Sequence, residues 1–127
     1  MRWCFDSGSH AYADNVLEML VAGADEALVP ALWRYEVSAV LARAQKTGIL
    51  TGERVADFLD NLEVLNIVVD FDGVDRILTD VHRLAVSYGL TSYDAAYLEL
   101  ALRGTLPLAT LDEELRTACR AAGVSVL

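Results

Sequence analysis

An α/β fold, built on a mostly parallel sheet covered by helices, is predicted by three features of this 127-residue chain. Short β-branched segments alternate with longer stretches whose apolar residues recur every three or four positions. Gly23, Gly48, Gly89 and Gly104 stand where those longer stretches should stop. No repeat, low-complexity tract or linker interrupts the chain, so residues 1–127 read as one domain.

Tyr12 to Val21 carries Val16, Leu17, Leu20 and Val21 at helical spacing, which predicts an amphipathic helix stopped by Gly23. Glu26 to Val29 is a short strand candidate. Pro30 then opens a helix where a proline is tolerated, and that helix runs to Gly48. Thr51 starts the next helix, with Val55, Phe58, Leu59 and Leu62 on its apolar side. Leu65 to Val69 (LNIVV) is the clearest strand. A helical pattern follows from Gly73 to Tyr88. Thr91 caps TSYDAAYLELAL, which ends near Gly104. Pro107 to Leu111 reads as a strand, Glu113 to Ala122 as a helix, and Val124 to Leu127 as a last strand. Such alternation ordinarily opens on a buried strand, yet almost nothing precedes the first helix.

Composition narrows the function classes. Apolar residues make up 54% and charged residues 23%, a globular balance rather than a disordered one. Arg, Asp, Glu or Gly interrupts every apolar run before it reaches membrane-spanning length, so no membrane partner is expected. MRWCFDSGSH lacks the apolar stretch of a signal peptide, which makes the cytoplasm the default location. Cys4 and Cys119 read as reduced thiols, and no cysteine–histidine grouping suits zinc. His10 and His82 read as surface residues. The formal charge of −9 repels nucleic acid in bulk, so RNA handling would need local arginines, bound cations or both.

Three of the nineteen acidic residues are placed unlike the rest. Glu36 lies on the second helix one turn from Trp33 and Val40, beside the apolar stripe. It serves either as a flanking residue with its head in water or as a carboxylate at a site. Asp94 falls three residues after Thr91, the spacing of a capping box, and also at a helix N-terminus facing a loop. Asp112 follows the strand-like LPLATL and is a good N-cap; Thr110 with Glu113 is the alternative cap. The carboxyl ends of parallel strands are equally where α/β proteins bind ligands. Carboxylates gathered in one cleft repel one another unless a divalent cation offsets them. Oxygen-only ligation of this kind suits Mg²⁺ or Mn²⁺. No serine–histidine or cysteine–histidine constellation and no glycine-rich phosphate loop competes with that reading.

LVPALWRYEVSAVLARAQKTGILT (Leu28 to Thr51) resembles the proline-started helix with an inward Glu of the VapC-type PIN-domain ribonucleases. YGLTSYDAAYLELALRGTLPLATLDEELRTACRAAGV (Tyr88 to Val124) is similar to that family's C-terminal half, and RWCFDSGSHAYADNVLEML to its first helix. The resemblance implies a three-layer fold with helices on both sheet faces. It implies a metal-dependent endoribonuclease, the toxin of a toxin–antitoxin pair, with an RNA substrate, a small antitoxin partner and a homodimeric state. Glu36, Asp94 and Asp112 match the family's Mg²⁺- or Mn²⁺-holding acids, and Thr110 matches a small polar position beside them. Arg34 and Arg103 are candidate phosphate contacts, or ordinary surface arginines.

A fourth family acid, at the end of an N-terminal central strand, has no counterpart. Trp3-Cys4-Phe5 followed by Asp6 is a poor substitute, because placing Asp6 there leaves too few residues for the following helix, which Trp3 fits well. The expectation is that an Asp-bearing strand lies upstream of Met1. The competing reading is a PIN-like binding module, without the first acid, that only binds an antitoxin or another protein.

Overall fold

The structure, a computed structural model, describes residues 11–23 and 26–127. These form two compact units: residues up to 68 apart from 29–31, and residues 29–31 with 69–127.

The first unit holds helices α1 (Ala11–Val21), α2 (Leu32–Lys46) and α3 (Gly52–Glu63). Helix α2 buries Val37, Leu41 and Ala44, the i, i+4, i+7 stripe that the sequence pattern calls for. Helix α3 begins as expected: Thr51 is its N-cap, its hydroxyl accepting from the Arg54 N–H at 3.3 Å. Strand β1 (Ala27–Pro30) pairs with β2 (Ile67–Asp70), and the Ala27 N–H donates to the Asn66 carbonyl at 2.9 Å. Pro30 is therefore the last strand residue rather than the first helical one. The chain turns at Ala31 before α2 starts at Leu32. A proline suits a strand end, where it has no ladder bond to donate.

The second unit is built around α5 (Ser92–Gly104), with α4 (His82–Tyr88) and α6 (Glu113–Ala122) against it. Leu98 and Ala101 of α5 share a core with Leu108, Leu115, Ala118, Cys119 and Val124. The spacing 115, 118, 119 is the apolar stripe of α6. Cys119 is a free thiol with no exposed surface, and burial raises its pKa, which leaves it inert. The strands expected at Pro107–Leu111 and Val124–Leu127 shrink to one parallel bridge between Leu108 and Val126. The sheet is thus smaller than the alternation predicts, and the described residues are mostly helical. Pro107 has no N–H to extend that bridge backwards.

The stretch expected as one helix from Gly73 to Tyr88 changes register twice. A 3₁₀ segment (Asp72–Arg76) and a π segment (Ile77–Val81) precede α4. The first turn is tightened by Asp70, whose Oδ2 accepts from the Gly73 N–H at 3.0 Å. Three-residue repeats then give way to five before the α-helical register is reached.

A part-buried ionic cluster ties β2 to α5. Arg103 reaches Asp70 through two nitrogens, Nη2 to Oδ2 at 2.6 Å and Nη1 to Oδ1 at 3.3 Å. The same guanidinium holds Glu99, Nε to Oε1 at 2.9 Å and Nη2 to Oε2 at 3.2 Å. Glu99 is only 5% exposed, and Arg76 Nε approaches its Oε1 at 3.8 Å. A carboxylate so buried is tolerated because it is paired and hydrogen-bonded. Burial alone would raise the Asp70 pKa, but the Arg103 and Gly73 hydrogen bonds and the guanidinium charge outweigh it and lower it. Glu99 and Asp70 in turn hold the Arg103 guanidinium even more firmly protonated.

Two outcomes follow from this architecture. Helix α5 ends with Thr105 at φ 52°, a left-handed conformation that a β-branched residue adopts at a cost. At Gly104, just before it, an added Cβ would stand 2.9 Å from the Leu106 side chain. Thr105→Gly should therefore stabilise the chain by about 1 kcal/mol in urea unfolding. Because the Asp70 pKa is lowered on folding, its contribution is complete well above the ordinary value of 3.8. That contribution is lost as the pH falls below 3.8 through the folded pKa. Asp70→Asn should give a flatter stability profile across this acid window than the native chain, as measured by unfolding midpoints at stepped pH.

Candidate active site

The three acids singled out from the sequence occupy distinct local settings. Glu36 is exposed on α2, one residue before the buried Val37 and in the first unit. It flanks the apolar stripe rather than pointing into it, because the buried positions 37, 41 and 44 leave residue 36 rotated towards solvent.

Asp94 is half-buried in the first turn of α5. The Thr91 hydroxyl accepts from the Asp94 N–H at 3.1 Å, which is the expected cap. The return bond differs from that of a capping box. Thr91 Oγ1 donates to Asp94 Oδ2 at 2.7 Å, so the carboxylate engages the capping hydroxyl and not the Thr91 backbone. One methylene shorter than Glu, Asp holds its carboxylate close to the helix end. The pair fixes Oδ2 and leaves Oδ1 outside it.

Asp112 is the exposed N-cap of α6, its Oδ1 accepting from the Leu115 N–H at 2.9 Å. Of the two caps the sequence allows, Asp112 is therefore the one used. Thr110 supports the turn: its hydroxyl accepts from the Asp112 N–H at 3.1 Å, and its carbonyl accepts from Arg116 Nη1 at 3.1 Å. Asp94 and Asp112 thus share a design, each a carboxylate fixed at the N-terminus of one of two packed helices. The unsatisfied N–H groups and the dipole there favour negative charge, which eases a concentration of acids.

These residues offer only hard carboxylate oxygens, a donor chemistry suited to Mg²⁺ or Mn²⁺. Asp94 and Asp112 belong to the second unit and Glu36 to the first. Among the described residues, no three His, Cys, Asp or Glu side chains are grouped so as to hold a metal ion. Cys4, Asp6 and His10 lie outside the described residues. His82 is exposed, as expected, and so is Arg34.

Arg103 corrects the sequence reading. It is neither an ordinary surface arginine nor available to phosphate, because Asp70 and Glu99 occupy its guanidinium. Sequence reasoning passed over Asp70, Glu99 and Arg76 altogether. One signal was present: Glu99 and Arg103 stand at i, i+4, with Glu99 between the apolar Leu98 and Leu100. The long-range partner, Asp70, carries no such mark.

Residues 2–121 match the PIN domain family. Ribonuclease VapC3 of Pyrobaculum aerophilum is 32% identical over 98 residues, spanning 77% of this chain and 75% of that protein. No described helix is long and apolar enough to cross a membrane. A family match over nearly the whole chain, with a relative at this identity, establishes that the chain belongs to the PIN-domain family.

Proposed function

We propose that this chain is a metal-dependent endoribonuclease that hydrolyses RNA phosphodiester bonds as the toxin of a toxin–antitoxin pair. The observation that carries the proposal is the 32% identity to a VapC ribonuclease across three-quarters of both chains. The match across residues 2–121 also supports reading both units as a single PIN-like domain, residues 1–127. A small antitoxin, a homodimeric state and a cytoplasmic location belong to the same reading.

Glu36, Asp94 and Asp112 would hold Mg²⁺ or Mn²⁺ through carboxylate oxygens. The bound cation supplies a water of lowered pKa and offsets the charge of a phosphodiester under in-line attack. The chain's own contribution is to aim the ligands. The Thr91 hydroxyl orients Asp94, and the Leu115 N–H orients Asp112. Thr110 and Arg116 hold the turn that carries Asp112. A net charge of −9 opposes RNA binding, so cations and exposed arginines such as Arg34 must supply the local attraction.

One observation favours the second reading, a binding module that engages only an antitoxin or another protein: no three metal ligands are grouped among the described residues. Cleavage of end-labelled RNA separates the two. With Mg²⁺ or Mn²⁺ the native chain should cut, while Asp94→Asn, Asp112→Asn and Glu36→Gln should each lose roughly a hundredfold or more in rate. Circular dichroism of each variant should match the native chain. Undiminished cleavage by Asp94→Asn would dismiss the site, and a folded native chain that cuts no RNA would favour the binding module.

A further inference from the structure

We propose that Asp70, Glu99 and Arg103 act as a positioning clamp for Asp94, setting the rotation and axial register of α5 and so the direction in which the Asp94 carboxylate points. The proposal rests on the reading of Asp94 as a metal ligand.

The geometry of α5 is the starting point. Asp94 and Glu99 are five residues apart on one helix, which separates them by about 7.5 Å of rise and about 140° of rotation. The clamp therefore grips the helix on a side well away from the one that presents Asp94. Helices transmit such constraints rigidly. A rotation of about 10° about the axis would carry a carboxylate about 6 Å from that axis through about 1 Å. Displacements of that size at a reacting centre cost about a hundredfold in rate.

Apolar packing resists such a rotation mainly through the buried Leu98 and Leu100. Three of the buried residues of α5 are alanines, Ala95, Ala96 and Ala101, whose single methyl groups offer little to interlock with neighbours. The clamp is directional instead. Arg103 presents a planar fork to two carboxylates at once, one on its own helix and one at the end of β2. Burial keeps water from competing for these bonds, with the Asp70 side chain 10% exposed and that of Glu99 6%.

Gly73 gives an independent sign that space here is reserved for the ions. A Cβ at that position would stand 2.9 Å from Asp70 Oδ2, 3.4 Å from Arg103 Nη2 and 3.7 Å from Glu99 Oε2. No side chain fits without pushing the clamp apart. The same residue donates its N–H to Asp70, so the 3₁₀ segment is fitted around the cluster.

The test compares Arg103→Lys, which keeps the charge and removes the fork, and Glu99→Gln, which keeps the shape and removes the charge. Val124→Ala is the control, a cavity in the apolar core shared with Leu98 and Ala101 that lowers stability without removing any bond of the clamp. Mn²⁺ affinity is read by electron paramagnetic resonance, and kcat and KM for RNA cleavage separately, at a temperature where circular dichroism shows every variant folded. Arg103→Lys should lose about tenfold in Mn²⁺ affinity and in kcat, with KM for RNA unchanged. Glu99→Gln should fall between Arg103→Lys and the native chain, and Val124→Ala should match the native chain. Native Mn²⁺ affinity in folded Arg103→Lys and Glu99→Gln, or an equal loss in Val124→Ala, would overturn the clamp. Asp94→Asn run in parallel tells the two failures apart. If it binds Mn²⁺ as the native chain does, the metal-site reading fails and takes the clamp with it. If it loses Mn²⁺ while the clamp variants keep it, the clamp alone is wrong.

Discussion

A carboxylate that is 5% exposed must find positive charge, and the second unit is arranged around meeting that demand. Glu99 is met by Arg103 one turn along α5 and approached by Arg76 from the 3₁₀ segment; Arg103 in turn answers to Asp70 at the end of β2. Strand end, irregular turn and central helix are joined by one set of directional bonds. Removing Arg103 would leave the buried Glu99 without its main partner, a loss of about 3–5 kcal/mol for a buried pair. Apolar contacts among Leu98, Leu108, Leu115 and Cys119 supply most of the driving force for packing, while the ions narrow the ways in which packing can occur.

The proposed chemistry imposes the opposite electrostatic problem. Acids in the cluster are neutralised by arginine, whereas the proposal would have Glu36, Asp94 and Asp112 neutralised by a cation from solution. Two of these three sit at helix N-termini, where backbone N–H groups already lean towards negative charge. Local bonds hold them without consuming them: Thr91 engages one oxygen of Asp94, and Leu115 one oxygen of Asp112. Under the proposed function, a chain of net charge −9 would use some of its acids in an internal ionic cluster and others as metal ligands.

What could be read from the sequence was local. The caps at Thr51, Thr91 and Asp112, the left-handed stops at Gly48 and Gly89 and the stripes of α2 and α6 all depend on neighbours within one or two turns, and all appear in the structure. Helix α5 ends at Gly104 as expected, but Thr105 takes the left-handed cap. Legibility ended where long-range pairing decides the outcome. Nothing in Pro107 to Leu111 says that a β-branched-poor segment will make one bridge instead of a full strand. The register changes between Asp72 and Val81 depend on a side chain two residues upstream, Asp70, whose own position depends on Arg103. Glu99 looked like one polar residue in a leucine-rich helix; its partner Arg103 stands one turn away, but that guanidinium is held in turn by Asp70, 33 positions from it. For the candidate acids, sequence pattern identified residues with good local reasons to be acidic. Their role as a set came from resemblance and not from spacing.

The central claim is that Glu36, Asp94 and Asp112 share one hard cation. Paramagnetic broadening by Mn²⁺ in amide correlation spectra of the isotopically labelled chain tests it most directly. Substoichiometric Mn²⁺ should broaden the amides around residues 36, 94 and 112 together and at the same concentration. Broadening that spreads evenly over surface acids, or that reaches residues 94 and 112 without residue 36, would contradict a shared site.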